Sequence, residues 1–207
     1  MILGIGAHPD DLEAGCFGTL AKHINEDEEV HLLILTPGAQ GVKKYGDTRR
    51  EEANLSALEL GATIEFAGLS SFDLGFPQPK VIDRIAKTIR TVNPYRVYVV
   101  SDKDTNQQHW ITTQCTRIAA RFVDEVIQYE TASTLPIFSP NMFVDITEYM
   151  DLKVKCILYH KTQSHRHYFQ EHTFRATNAY WYVKARLTEN KPKGYAEAFY
   201  IERRIEG

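Results

Sequence analysis

The run Gly4-Ile5-Gly6-Ala7-His8-Pro9-Asp10-Asp11 places an imidazole and two carboxylates directly after an apolar stretch, residues 1–7. Imidazole nitrogens and carboxylate oxygens are ligands for zinc and for other divalent cations. His8 and Asp11 are three residues apart. If a helix starts near Pro9, that spacing is close to one turn and both side chains can face one point. Asp10 must then point elsewhere, which leaves it free for a different task. A blander reading stays open at this stage, in which the carboxylates only complement the positive end of a helix.

The surrounding pattern says which elements would hold these residues. Residues 1–7 read as a first strand. Residues 12–24 follow as a helix with Leu12, Gly15, Cys16, Thr19, Leu20 and His23 near one face, and small residues that would let it lie close to a sheet. Residues 30–35 form a nearly continuous apolar run, the mark of a strand covered on both faces. A helix is expected from an N-cap at Asp47 or Thr48 through Leu60, with Gly61 closing it. Further strands are expected at 63–69, 96–100, 126–130 and 143–146, and helices at 80–92, 110–122, 148–160 and 174–187. Repeated strand-loop-helix units mean a Rossmann-like, doubly wound, mostly parallel sheet with right-handed crossovers. The chain reads as one domain spanning 1–207, a parallel α/β core over 1–131 and a C-terminal extension over 132–207 packed on it.

In open α/β sheets ligands gather beyond the carboxyl ends of the strands. A third metal ligand should therefore come from another loop at the same edge. The loop after residues 96–100 ends in Asp104-Thr105-Asn106-Gln107-Gln108-His109, and His109 is expected just before the next helix. Two histidines, one aspartate and an open position make the arrangement of a hydrolytic zinc centre. A dinucleotide-binding turn is excluded, because Gly4-Ile5-Gly6 runs into His8-Pro9-Asp10 and the acidic residues would repel a pyrophosphate.

The chain has 207 residues, 43% hydrophobic and 25% charged, with a net charge of −3. Nothing in that balance argues for nucleic acid or an anionic membrane as partner. No apolar run approaches the roughly 20 residues that cross a bilayer. Cys16, Cys115 and Cys156 are odd in number and widely spaced. They point to a reducing, cytoplasmic setting and to thiols that behave as buried apolar residues.

Ala7-His8-Pro9-Asp10-Asp11 resembles the opening motif of the PIG-L/LmbE-type metal-dependent N-deacetylases, where a Gly-rich helix follows, here Gly15 to Leu20. Other stretches resemble that family in the same order. Leu35-Thr36 with Gly38 and Gly41 is similar to its second strand and loop, and Arg49-Arg50-Glu51-Glu52-Ala53 with Leu60-Gly61 to its Arg-x-x-Glu…Leu-Gly helix. Asp73, the 104–109 loop, Pro140-Asn141, Asp145-Ile146, Lys153, Gln163 and Tyr195-Ala196-Glu197-Ala198-Phe199 fall where later family blocks are expected. Asn106 stands where many members have His, and Gln108 where many have Asp.

The resemblance implies that His8, Asp11 and His109 hold Zn²⁺ or another divalent metal, with Asp10 as general base. It also implies substrate contacts from Arg49, Asp73 and Tyr195. The reaction implied is removal of an acetyl group, as acetate, from a small N-acetylated sugar or glycoconjugate. A homo-oligomer, trimer or hexamer, is the assembly it suggests. For Arg49 a surface salt bridge with Glu52 or a neighbour is the competing reading, and Arg50 the neighbouring register. His165, His167 and Tyr195 are candidates for an oxyanion donor. Trp110, Tyr180, Trp181 and Tyr182 could stack on a sugar, although clustered aromatics more often belong to core or interface. His23, His31 and His160 lie in helix or strand patterns and are not expected to be ligands. The alternatives are hydrolysis of a non-sugar N-acyl amine, and a metal-binding member with weak or lost catalysis.

Overall fold

A computed structural model of the chain describes residues 1–38, 43–186 and 193–205. Gly41 and the expected helix end at Leu187 lie outside the described residues. Seven strands form one sheet: β1 Ile2–Gly6, β2 Val30–Ile34, β3 Thr63–Phe66, β4 Arg96–Val100, β5 Glu125–Tyr129, β6 Met142–Asp145 and β7 Ala196–Arg204. Their order is β3-β2-β1-β4-β5-β7-β6. The five strands from β3 to β5 are parallel, and β7 runs antiparallel to both β5 and β6. Strand β1, the middle one of the five parallel strands, is buried along its whole length. Helices cover both faces, as unbroken apolar strands require. The chain leaves β1 toward β2 and β3, then crosses back to lay β4 on the other side of β1. The switch point thus falls between the strands that precede His8 and His109.

The helices are α1 Asp11–Gly15, α2 Phe17–Asn25, α3 Lys43–Leu60, α4 Pro79–Val92, α5 Gln107–Ala119, α6 Met150–Ile157 and α7 Glu171–Lys184. Several differ from the pattern reading, for identifiable reasons. The expected helix over 12–24 breaks at Cys16 into α1 and α2. The Glu197 carboxylate, arriving from β7, accepts the Gly18 and Thr19 backbone N–H groups at 3.0 and 2.7 Å and so starts a new helix there. A Cβ on Gly15 would run into Tyr129 and the Glu130 carbonyl, so α1 lies tightly against the end of β5. Helix α3 begins at Lys43, ahead of the expected caps, and Thr48 bonds back to the Lys44 carbonyl from inside it. Helix α5 begins at Gln107 because the Asn106 side chain caps it, accepting from the Gln108 N–H at 3.0 Å. His109 therefore sits in the first turn, not before it.

The C-terminal part does more than pack on the sheet. It supplies β6 and β7, and β7 inserts between β5 and β6. The expected helix over 148–160 is a 3₁₀ turn, Thr147–Tyr149, followed by the shorter α6. All three cysteines are buried and free. Among the described residues no helix is long and apolar enough to cross a membrane.

Candidate metal centre and active site

The sharp turn after β1 aims three side chains in two directions. Asp10 has φ 103°, a left-handed backbone that costs a non-glycine residue on the order of 1–3 kcal/mol. Asp11 turns inward, and its Oδ2 accepts the His8 backbone N–H at 2.8 Å. Asp10 turns toward Arg49, whose Nη2 reaches the Asp10 carboxylate at 3.1 Å and the Pro9 carbonyl at 2.5 Å. Nη1 of Arg49 donates to the Gly38 carbonyl at 2.8 Å. Gly38 has φ +59°, and a Cβ there would collide with that guanidinium. Arg49 thus clamps the strained turn from the buried side.

His8, Asp11 and His109 converge. His8 Nδ1 lies 3.3 Å from His109 Nε2 and 3.5 Å from Asp11 Oδ2, and His109 Nε2 lies 3.3 Å from Asp11 Oδ1. Ligand atoms placed tetrahedrally at about 2.0–2.2 Å from one ion stand about 3.3–3.6 Å apart. The His8 Nδ1–His109 Nε2 and His109 Nε2–Asp11 Oδ1 separations match that requirement, and one ligand atom from each of the three residues lies within 4.8 Å of the others, so the three fit a single divalent cation.

The outer partners set the ring tautomers. His8 Nε2 donates to Gln108 Oε1 at 2.5 Å, and the Gln108 amide nitrogen donates to the Ser71 carbonyl at 3.0 Å. His109 Nδ1 donates to Asp104 Oδ2 at 3.0 Å, and Thr131 and Thr134 hydroxyls donate to the same oxygen. Each ring therefore turns its other nitrogen inward, the one a metal would take, which is the orientation usual for metal-ligating histidines.

Electrostatics separate the two adjacent carboxyls. Burial pushes Asp10 up to about 6, with Arg49 opposing the rise and Asp11 adding to it. Burial also disfavours ionised Asp11, yet the His109 and His8 rings outweigh it and hold Asp11 well below the usual range. Burial works against a charged His109, but Asp11 and Asp104 raise it to about 10. Asp11 is thus a permanent anion, while Asp10 can exchange a proton near neutrality.

A cleft of about 450 Å³ opens over this group, lined by His8, Asp10, Asp11 and His109 together with Arg49. Asp73 and Tyr195 are not among its lining residues. Asp73 is committed to a capping box with Ser70 and to an ion pair with Lys80 at 2.8 Å. Tyr195 lies under Arg175 at the start of β7, its ring centroid 5.9 Å from the guanidinium. Arg49 pairs with Asp10, not Glu52; Glu52 instead accepts from Thr162. Arg50 packs over Phe66. His165 and His167 are exposed, while Arg166 and Tyr168 between and beyond them line the cleft.

Pattern reading missed the pair behind Asp10. His160 is buried with its Nε2 3.0 Å from Glu13, and its charge acts on Asp10. Glu13 stood beside the motif and could have been singled out. His160 carried no signal, because its partner is 147 residues away.

The family description for GlcNAc-PI de-N-acetylase, PIG-L, matches residues 3–120. The uncharacterized deacetylase YaiS of Escherichia coli K12 is 32% identical over 167 residues, covering 78% of this chain and 90% of that protein. The 4-carboxy-2-hydroxymuconate hydratase GalB of Pseudomonas putida KT2440 superposes with a TM-score of 0.86 at 23% identity, over 100% of this chain and 98% of its own. The N,N′-diacetylchitobiose deacetylase of Pyrococcus horikoshii gives a TM-score of 0.80, also at 23% identity, over 97% and 82%. At that identity the two superpositions establish a shared fold.

Proposed function

The chain belongs to the PIG-L family, and from that premise we propose that it is a zinc-dependent N-deacetylase that releases acetate from an N-acetylated amino sugar or glycoconjugate. The observation carrying this reading is the division of labour at the turn. His8, Asp11 and His109 form a closed set of ligand atoms, and the neighbouring carboxyl of Asp10 stays outside it, turned toward Arg49. His8, Asp11 and His109 would hold a divalent cation, which when bound would supply polarisation of an amide carbonyl and a lowered pKa for water. Asp10, held by Arg49 at 3.1 Å, takes the proton of the attacking water and passes it to the departing amine nitrogen as the C–N bond breaks. The product pair is acetate and a free amine.

A hydratase shares the fold, and fold alone does not choose a reaction. Arg49 is spent on Asp10 and two backbone carbonyls. That leaves Arg166 as the remaining arginine lining the cleft among the described residues. A neutral acetamido sugar suits such a site better than a substrate with several carboxylates, which would ask for paired cations. The buried free thiols support a cytoplasmic protein.

The test is metal analysis of the purified protein together with acetate release from N-acetylglucosamine derivatives and from non-sugar N-acyl amines. We expect stoichiometric metal, acetate from the sugars, and a loss of about 10²–10⁴-fold in kcat on Asp10→Asn with metal retained. Stoichiometric metal with no acetate from any substrate would sink the enzyme reading. Acetate from the acyl amines alone would move the substrate class.

A further inference from the structure

Helix α1 carries Asp11, yet it has five residues and its N-cap Asp10 makes no side-chain cap bond. An isolated turn of that length bears the full cost of helix nucleation and does not support itself. Apolar contacts set how close it lies to the sheet. A Cβ on Gly4 would meet the Leu12 side chain at 3.1 Å, and one on Gly15 would meet the Tyr129 ring at 2.1 Å. Leu12 and Gly15 are three residues apart and share that inner face. Contacts on one face leave the roll of the helix about its axis to be fixed from elsewhere.

Glu13 supplies the tether. Two residues beyond Asp11, it stands about 200° around the helix axis from it, so Asp11 lines the cleft and Glu13 does not. On that far side Glu13 Oε1 accepts a hydrogen bond from His160 Nε2 at 3.0 Å. His160 is a fixed anchor. Its backbone N–H donates to the Ile157 carbonyl at 3.1 Å and its carbonyl accepts from the Gln163 N–H at 2.9 Å. Its ring stands edge-on to Phe169, with centroids 6.4 Å apart. A bond on the far side of so short a helix sets the aim of the near side, where Asp11 Oδ1 lies 3.3 Å from His109 Nε2.

Stability alone is a poor reason for such a pair. Glu13 is 3% exposed and His160 1%. Burial disfavours a charged ring, but Glu13 raises the His160 pKa, so the two stand as a buried ion pair. The second polar atom of each, Glu13 Oε2 and His160 Nδ1, is buried without a hydrogen-bond partner among the described residues. Unsatisfied atoms of this kind are costly to bury, and apolar residues of similar volume often hold a fold as well or better. What apolar residues lack is a directed bond of fixed length.

We propose that Glu13 and His160 are positioning residues for the cation site: their bond sets the roll of α1 and so the aim of the Asp11 carboxylate. This role rests on the cation site of His8, Asp11 and His109 but on no particular reaction there.

The test uses the full-length protein loaded with Co²⁺, whose visible spectrum reports the geometry of its ligands. That spectrum is read together with Co²⁺ affinity by chelator competition and the melting temperature of the metal-free form. The double variant Glu13→Leu/His160→Leu removes the bond and both charges. It should melt close to the parent, bind Co²⁺ about 10–100-fold more weakly, and give an altered spectrum. Glu13→Gln keeps an acceptor for His160 Nε2 and should retain the parent spectrum and most of the affinity. A double variant with the parent's spectrum and affinity would overturn the positioning role, and so would a Glu13→Gln variant as impaired as the double. If the double variant melts early, Glu13→Ala measured well below its own melt decides the matter. An altered spectrum with weakened affinity in that variant supports the role, and parent values overturn it. A parent protein that takes up no Co²⁺ would sink the cation site itself, and the positioning role with it.

Discussion

Gln108 accepts from Nε2 of His8 at 2.5 Å while its own amide nitrogen is tied to the Ser71 carbonyl at 3.0 Å. The second bond fixes which end of the amide faces the ring, and so fixes the His8 tautomer with Nδ1 turned to the cation site. A neutral amide here does the orienting work that a carboxylate does behind His109, where Asp104 is the partner.

Removing that partner should therefore loosen the site without emptying it. Gln108→Leu is expected to weaken divalent-metal affinity by about 10–100-fold, read by competition against a chromophoric chelator. Gln108→Glu keeps an acceptor within reach and should lose less. An unchanged affinity in Gln108→Leu would show that the His8 ring needs no outer partner.

Much of this arrangement is legible in the sequence, and the reason is geometric. A parallel sheet sends its loops to one edge, so residues after the first and fourth strands had to approach each other. The convergence of His8, Asp11 and His109 follows from that rule together with ligand chemistry. What stayed illegible depends on partners remote in sequence. The break at Cys16 is caused by Glu197, 179 residues beyond Gly18. Arg49 reads as a substrate contact until the strained turn at Asp10 shows what it is clamping. Asp73 fell in the right loop, but Ser70 three residues earlier captures it in a cap. The insertion of β7 between β5 and β6 has no local signature at all.

Arg49 governs the proton equilibrium of Asp10. Burial has already lifted that carboxyl to about 6, and the guanidinium is the largest influence holding it from rising further. Arg49→Ala removes the restraint, so the Asp10 pKa climbs. A base works only when deprotonated, so the acid limb of the kcat/KM profile should move to higher pH. A limb that stays in place, or moves to lower pH, would separate Arg49 from Asp10. Arg49→Lys keeps a charge but cannot hold the Gly38 and Pro9 carbonyls and Asp10 together, so an intermediate profile is expected.

Metal binding should be strongly linked to pH through His109. In the metal-free protein Asp11 and Asp104 overcome the effect of burial and raise the ring from 6.5 to about 10, so it carries a proton at neutrality. A cation taking Nε2 must displace that proton. Affinity should rise about tenfold per pH unit from pH 7 to 9, and calorimetry in buffers of different ionisation enthalpy should detect the released proton. The metal-free protein has the opposite trend in stability. A folded-state pKa raised above the unfolded one stabilises fully below 6.5, and that contribution is lost as pH climbs through about 10. Melting temperatures of chelator-treated protein should fall across that window. A metal affinity independent of pH would contradict the ion-paired His109.

The last prediction concerns how the C-terminal strand reaches the site. Glu197 on β7 accepts from Lys153 Nζ at 2.5 Å and from the Gly18 and Thr19 amides at 3.0 and 2.7 Å. One carboxylate thereby ties β7, α6 and the start of α2, directly behind the helix that carries Asp11. Both charged side chains are 1% exposed, and a buried charge stripped of its partner costs about 3–5 kcal/mol. Lys153→Met should destabilise by that order, because Glu197 keeps its two amides but loses its counter-charge. For a chain of this size the melting temperature should fall by roughly 6–20 °C. Glu197→Gln leaves the ammonium stranded and weakens the α2 cap as well, so its loss should be at least as large. The double variant holds neither charge and should recover part of the sum, giving a coupling energy in a double-mutant cycle. Additive losses, or single variants that melt like the parent, would mean that the pair does not join these elements. The functional arm follows from position: if the tie holds α1 in register through the Cys16 break, the single variants should also bind metal more weakly at temperatures well below their melts.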